Sequence, residues 1–281
     1  MKKIEKLRDL QLAETYILNE LNNVCSKLGL KLYLLGGTLI GAVRHKGFIP
    51  WDDDIDVCMS RIDYERLLQC TKGKIGEKCS IIDPASDTSF KGYIPLCVFD
   101  DSKLASKQFR GNEELKLSVS IFIYDGAPES KFAQQRYYRK MYFLRAKHAL
   151  CRADFKNVNT KLARLFGPIL QPFFSERKVY KYKEKILHMQ KRYPFESSKL
   201  VCTNADNNSI KEIASKESFL KSVPVVFEGL NLLAFSHYKE HLTNYYGDYM
   251  KLPPLDQQIQ KHSFDAMISD DFDFSWNSDN R

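Results

Sequence analysis

No two cysteines in this 281-residue chain stand in a C-x-x-C pair, and no uninterrupted apolar run reaches the ~20 residues a bilayer-spanning helix needs. The seven cysteines, at positions 25, 58, 70, 79, 97, 151 and 202, are odd in number and scattered. That excludes a thiolate zinc cage or a disulfide framework as the organising device and favours free thiols in a reducing compartment. The first residues, Met1-Lys2-Lys3-Ile4-Glu5-Lys6, carry charge where a secretory signal carries an apolar segment, so a cytoplasmic protein is expected. The least polar window, 162–174, is broken by Arg164, Pro168, Gln171 and Pro172, too short and interrupted to span a membrane. With 43% hydrophobic and 28% charged residues, the composition excludes a disordered or low-complexity chain.

Acidic residues are the other shortage. Lys and Arg outnumber Asp and Glu by 43 to 35, a net charge of +8 that suits an anionic partner. The excess is local. Residues 131–192 hold 17 basic side chains against Asp154, Glu176 and Glu184, whereas 253–281 hold six Asp and two basic residues. The basic stretch, with its aromatics, suits a peripheral contact with an anionic membrane surface, into whose interface 162–174 would dip. No nucleic-acid motif accompanies the charge, so nucleic acid is not the expected partner.

Apolar spacing predicts a helix from Leu7 to Leu28, stopped by Gly29, and a short strand over 32–35 closed by Gly36-Gly37. Thr38 is placed as the N-cap of a helix over 39–44, and 54–59 alternates as a strand. Helix follows around Ile62 to Leu68, β-like pattern over 80–125, and helix through the basic stretch, broken at Gly167-Pro168 and Pro172. Alternation over 223–235 then leads into a helix over 237–246. The expected architecture is α/β (α+β): a mixed sheet flanked by helices, with a helical, basic second half. One domain over 1–262 is expected, with a core over 1–128, a basic extension over 129–200, a C-terminal element over 220–262 and a frayed acidic tail over 263–281.

The informative segment is 35–63, LGGTLIGAVRHKGFIPWDDDIDVCMSRID. Residues two apart on a strand share a face, so Asp54 and Asp56 present two carboxylates together. Their repulsion is relieved by a divalent cation, and Mg²⁺ is commonly held by one or two carboxylates plus substrate phosphates. Gly36-Gly37 leads into a helix N-terminus, whose free N–H groups can meet a phosphate. An acidic loop alone is a solvated face and a double glycine alone is a turn. Together, between strand, helix and strand, they read as a metal–nucleotide site. A calcium loop starting at Asp52 fails, because Val57 would stand at its glycine and Asp63 at its glutamate.

The stretch 36–63, above all GGTLIGAVRHKGFIPWDDDID, resembles the signature of the LicD/fukutin-type phosphotransferases, a family of the nucleotidyltransferase superfold. A second match, YGDYM at 246–250 followed by Leu252-Pro253-Pro254 and His262, resembles the family's C-terminal element. The resemblance implies a Mg²⁺- (or Mn²⁺-) dependent transfer of a phospho-alcohol, phosphocholine or a polyol phosphate, from a CDP-linked donor such as CDP-choline. The acceptor would be a hydroxyl of a cell-surface glycan or its lipid-linked precursor, as in lipopolysaccharide, teichoic acid or capsule modification. Asp54 and Asp56 would hold the metal, with Gly36, Gly37 and Thr38 at the donor phosphates. Arg44 would neutralise those phosphates with its planar fork. The alternatives are transfer of the nucleotide itself and a silent, glycan- or partner-binding relative.

One departure bears on catalysis. The family's later strand reads like I-D-I-F-P-L-D-G, where this chain has Val119-Ser120-Ile121-Phe122-Ile123-Tyr124-Asp125-Gly126. Ser120 stands where the third carboxylate is expected. Three readings stay open: the acid comes from Asp125 or from Asp100 and Asp101, a water replaces it, or catalysis is impaired. Among the remaining candidates, His45 and His262 default to structural roles, Asp248 to its own turn, Trp51 to packing, and Tyr249 with Pro253-Pro254 to a wall of the site.

Overall fold

The computed structural model describes residues 1–105, 109, 114–154, 165, 167, 169, 173–205, 209–260 and 265–275. Fourteen short strands and seven helices are defined among them. Helix α1 (Leu7–Lys27) ends at a left-handed Gly29, as its spacing predicts. It is followed by β2 (Tyr33–Leu34), α2 (Gly36–His45), β3 (Ile55–Ser60) and α3 (Arg61–Thr71). Ser60 caps α3 by accepting from the Asp63 N–H and in turn donates to the Asp63 carboxylate, a reciprocal cap that places Asp63 in helix initiation.

The centre of the molecule is a ten-stranded mixed sheet. Its inner strands are β3 and β9 (Ser118–Ala127), paired in parallel. β6 (Leu96–Phe99), β5 (Cys79–Ile82) and β4 (Lys74–Ile75) continue antiparallel on one side. On the other side lie β2 and the hairpin β12 (Ser222–Phe227) and β13 (Leu230–Phe235). β10 (Leu200–Thr203) pairs with the far part of β9 and with β11 (Ala214–Ser215). Ile55, Val57, Val119 and Ile121 are fully buried, and α1 packs over β3, β6 and β9 with Ile17, Leu18 and Leu21. Burying side chains of this size stabilises the core by roughly 1.5–3 kcal/mol each.

The basic stretch forms α4 (Lys131–Arg152) and α5 (Lys178–Gln190), which pack together through Tyr137, Tyr138, Met141, Ile186 and Met189. Two helices follow: α6 (Lys216–Leu220) and α7 (Tyr238–Tyr246). The mixed sheet and its flanking helices agree with the architecture read from the sequence. Two details differ. Helix α2 begins at Gly36 with Leu35 as N-cap, so Thr38 lies inside the helix and is not its cap. Residues 265–268, within the stretch expected to fray, form β14, with Ala266 and Ile268 buried. β14 joins β1 (Lys2–Ile4), β7 (Ser102–Ala105) and β8 (Glu114–Leu115) in a second, four-stranded sheet.

Candidate active site

The acidic loop is pinned from three sides before any ligand is considered. Gln11 of α1 donates to the Asp52 main-chain carbonyl at 2.9 Å. Glu228, at the β12–β13 turn, accepts from the Phe48 N–H at 3.0 Å and is itself paired with Arg8. Gly41 lets residues 47–49 lie directly on α2, since a Cβ there would collide with the Gly47 carbonyl oxygen. The Thr38 hydroxyl accepts from the Asp56 N–H at 2.9 Å, tying the first turn of α2 to β3. That bond, not a cap, is what Thr38 contributes.

Asp54 and Asp56 both line a cleft of about 630 Å³ together with Gly37, Arg44, Trp51 and Asp52. The opposite wall is the C-terminal element: Tyr246, Asp248, Tyr249, Pro253 and Pro254. Two sequence blocks some 200 residues apart therefore meet at one site. Gly36 lies against the Asp56 carboxylate and the Tyr246 hydroxyl, where an added Cβ would sit 3.4 and 3.5 Å from them. At Gly37 a Cβ would come within 2.7 Å of Asp52 Oδ2. Both glycines thus keep the floor of the cleft low beside the N–H groups of the first turn of α2, which have no acceptor inside the helix.

Strand β3 begins at Ile55, so Asp54 sits just ahead of the ladder. Carboxylate oxygens of Asp52, Asp53 and Asp54 lie within 4.8 Å of one another, a trio that shares Asp54 with the pair read from the sequence and does not include Asp56. Helix α1 adds a further acid that sequence reasoning missed. Glu14 is 5% exposed, and its Oε2 has no hydrogen-bond partner. Burial, then the charges of Asp54, Asp53, Asp52 and Asp56, push the Glu14 carboxyl well above its usual value. An unpartnered buried carboxyl facing four carboxylates is costly without a cation. The donors are all hard oxygens, the set that Mg²⁺, Mn²⁺ and Ca²⁺ prefer. A divalent cation fits these residues.

Arg44 lines the cleft and also holds its two walls together. Its Nη1 donates to the carbonyls of Tyr249 at 2.8 Å and Lys251 at 3.3 Å. Its Nε donates to His45 Nε2 at 2.9 Å; burial and the Arg44 charge lower the His45 pKa, favouring neutral imidazole. His262 lies outside the described residues.

β9 runs parallel to β3 in a register that sets Ser120 directly beside Asp56. The position of the missing acid is therefore next to the cluster, as the resemblance implied, but a hydroxyl occupies it. Asp125 does not substitute, because Arg61 holds both its oxygens at 2.9 and 2.7 Å further along the strand. Asp100 is bound to Lys74 and Ser80 beyond the end of β6. Asp101 is exposed in the turn that follows.

Comparison with known proteins agrees with this geometry. The family model of the LicD/FKTN/FKRP nucleotidyltransferase domain matches residues 29–91, the span from the end of α1 past α3. The lipopolysaccharide cholinephosphotransferase LicD of Haemophilus influenzae is 31% identical over 274 residues, covering 95% of this chain and 100% of that protein. An uncharacterised protein of Rickettsia prowazekii is 38% identical over 53 residues, 19% of this chain and 20% of that protein. The acidic loop, the glycine turn and the C-terminal wall thus lie within an alignment running nearly end to end, and the chain belongs to the LicD family.

Proposed function

We propose that this chain transfers phosphocholine from CDP-choline to a sugar hydroxyl of lipopolysaccharide. The observation that carries the proposal is the single cleft uniting the aspartates, Gly37, Arg44 and three aromatic side chains, in a family whose Haemophilus member is a lipopolysaccharide cholinephosphotransferase. The donor diphosphate would lie against Gly36, Gly37 and the first turn of α2, with Arg44 neutralising part of its charge. Trp51, Tyr246 and Tyr249, together with Asp248, offer the aromatic and acidic surroundings that a quaternary ammonium prefers.

Asp54 and Asp56, with Asp52, Asp53 and Glu14 beside them, would hold a divalent cation such as Mg²⁺. Once bound, the cation supplies charge neutralisation on the phosphate oxygens. The acceptor hydroxyl attacks the phosphorus that carries choline. Its bond to the CMP oxygen breaks, CMP leaves with the electron pair, and the hydroxyl proton passes to a carboxylate of the cluster. Phosphoryl transfer through a loose transition state depends chiefly on positioning and electrostatics, so a serine at position 120 is compatible with turnover.

The experiment is product analysis with CDP-choline, Mg²⁺ and lipopolysaccharide. The reading requires CMP and choline-labelled glycan. Release of pyrophosphate with a nucleotide on the product would replace it with nucleotidyl transfer, and donor binding without turnover would make the chain a silent relative.

A contact with the anionic membrane surface fits the same reading. Helix α4 carries seven Lys or Arg and no acid, and its Phe132 and Phe143 are exposed. Leu165, Ile169 and Phe173 are exposed too; the rest of the window 162–174, apart from Gly167 and Phe174, lies outside the described residues. No helix among the described residues is long and apolar enough to cross a membrane. Flotation with anionic vesicles should show salt-sensitive binding, and absence of binding at low salt would remove this part of the account.

A further inference from the structure

We propose that a second cleft, lined by Ser120 where the donor cleft is lined by its strand neighbour Asp56, binds the acceptor as a pyranose ring. It rests on the phosphocholine-transfer reading above and adds where the second substrate lies. The cleft has a volume of about 510 Å³ and is lined by Phe90, Tyr93, Ser118, Ser120, His148 and Arg152 among others.

Three observations carry the assignment. The first is position. Asp56 lines the donor cleft and Ser120 lines the second one, and these residues are register partners on adjacent parallel strands. Neighbouring strands stand about 4.8 Å apart and register partners share a face. Ser120 therefore stands about one strand spacing from Asp56, close enough for substrates in the two clefts to meet, as direct transfer requires.

The second is chemistry. The donor cleft contributes carboxylates and suits a cation and a cationic alcohol. Among the described residues, the lining of the second cleft has no carboxylate and carries a guanidinium, two serine hydroxyls and aromatic rings. The Arg152 guanidinium repels a quaternary ammonium there. A sugar fits, because its C–H face packs on aromatic rings while its hydroxyls bond to a few fixed polar groups.

The third is that the walls are already held in place. His148 is buried, with Nε2 2.7 Å from the Lys91 carbonyl, and meets the Tyr93 ring edge-on at 5.1 Å. The Arg152 guanidinium stacks 3.8 Å from the Phe109 ring centre, where an isolated bridge joins Phe109 to Ala153. A pocket whose side chains are fixed by one another binds with less ordering cost.

The test titrates delipidated core oligosaccharide into the chain without donor, then measures transfer to that oligosaccharide and to intact lipopolysaccharide. Ser120→Ala and Arg152→Ala should each weaken oligosaccharide binding about tenfold, and raise the acceptor KM more than they lower kcat. Ala149→Trp, which fills the cleft from the exposed side of α4, should abolish sugar binding while the melting temperature and the CDP-choline affinity stay within error of wild type. If wild type binds no oligosaccharide, or if Ala149→Trp binds it unchanged, the assignment is wrong. A defect confined to intact lipopolysaccharide would overturn it as well, since the cleft would then hold an acyl chain. Sugar binding that depends on this cleft, in a chain that binds no CDP-choline, would support the cleft and refute the donor reading.

Discussion

Arg44 Nη1 donates to the main-chain carbonyl of Tyr249 at 2.8 Å across 205 residues of sequence, fastening the helix of the glycine turn to the C-terminal wall of the cleft. Arg44→Ala should weaken CDP-choline binding at least tenfold and cost about 1–3 kcal/mol of stability, since two main-chain carbonyls lose a charged donor. Arg44→Lys keeps the charge but not the fork, so it should recover part of the stability and little of the affinity. Calorimetric titration beside thermal melts checks both. Unchanged donor affinity in Arg44→Ala would remove the residue from the site.

Two of the motif's four glycines, Gly41 and Gly37, should fail differently. At Gly41 a Cβ meets main-chain oxygen that cannot move without displacing the loop, so Gly41→Ala should unfold or markedly destabilise the chain. At Gly37 a Cβ meets the end of the Asp52 side chain, 2.7 Å away. Gly37→Ala should fold, with a melting temperature within a few degrees of wild type, yet lose donor and divalent-cation affinity because Asp52 is pushed aside. Melting curves paired with Mg²⁺ titrations separate the cases.

Glu14 should behave as a fifth carboxylate of the cluster. Its pKa is raised above 4.5 by burial and by four aspartates, so the cation-free chain should lose stability as pH rises from that value. Glu14→Gln should flatten that loss and raise the cation-free melting temperature at pH 8. It should also weaken Mg²⁺ binding about 10–100-fold, the usual effect of removing a group that supports a metal ligand. A Gln variant that melts lower at pH 8 and binds Mg²⁺ like wild type would exclude the role.

At the acid end the sign reverses. His241, 3% exposed on α7 beside the Phe235 ring, has its imidazole pKa lowered from 6.5 to about 4 by burial and by the nearby His237. Its neutral form belongs to the folded state, so its contribution is complete above pH 6.5 and is lost as pH falls toward 4. At about 1.4 kcal/mol per pH unit, the loss approaches ~3 kcal/mol. His241→Leu should shift the acid-unfolding midpoint downward; a midpoint identical to wild type would refute it.

What was legible in the sequence follows from how locally each feature is encoded. Asp54 and Asp56 could be picked out because the aspartate run meets a period-two apolar alternation, whereas Ser120 was marked by the family resemblance of 119–126, and its place beside Asp56 appears only in the folded sheet. Thr38 could not, since its hydroxyl is used across the chain, on the Asp56 N–H, although threonine before a short apolar run is an ordinary cap signal. Glu14 was hidden for another reason. A glutamate in an amphipathic helix reads as solvent-facing, and only the buried neighbours Gln11 and Thr15, at i−3 and i+1, hint that α1 is covered on its polar flank. The second sheet is joined by Lys2 to Ile268 and by strands of two to four residues, a pairing no local pattern can announce.

The proposed chemistry requires the aspartate cluster to hold the cation of a CDP-linked donor. Its most direct test is calorimetric titration of CDP-choline, with and without Mg²⁺, into wild type, Asp54→Asn and Asp56→Asn. Wild type should bind in a Mg²⁺-dependent manner, with a loss of at least tenfold in each variant and choline transfer lost in parallel. Mg²⁺-independent binding, or variants that bind and turn over like wild type, would contradict it.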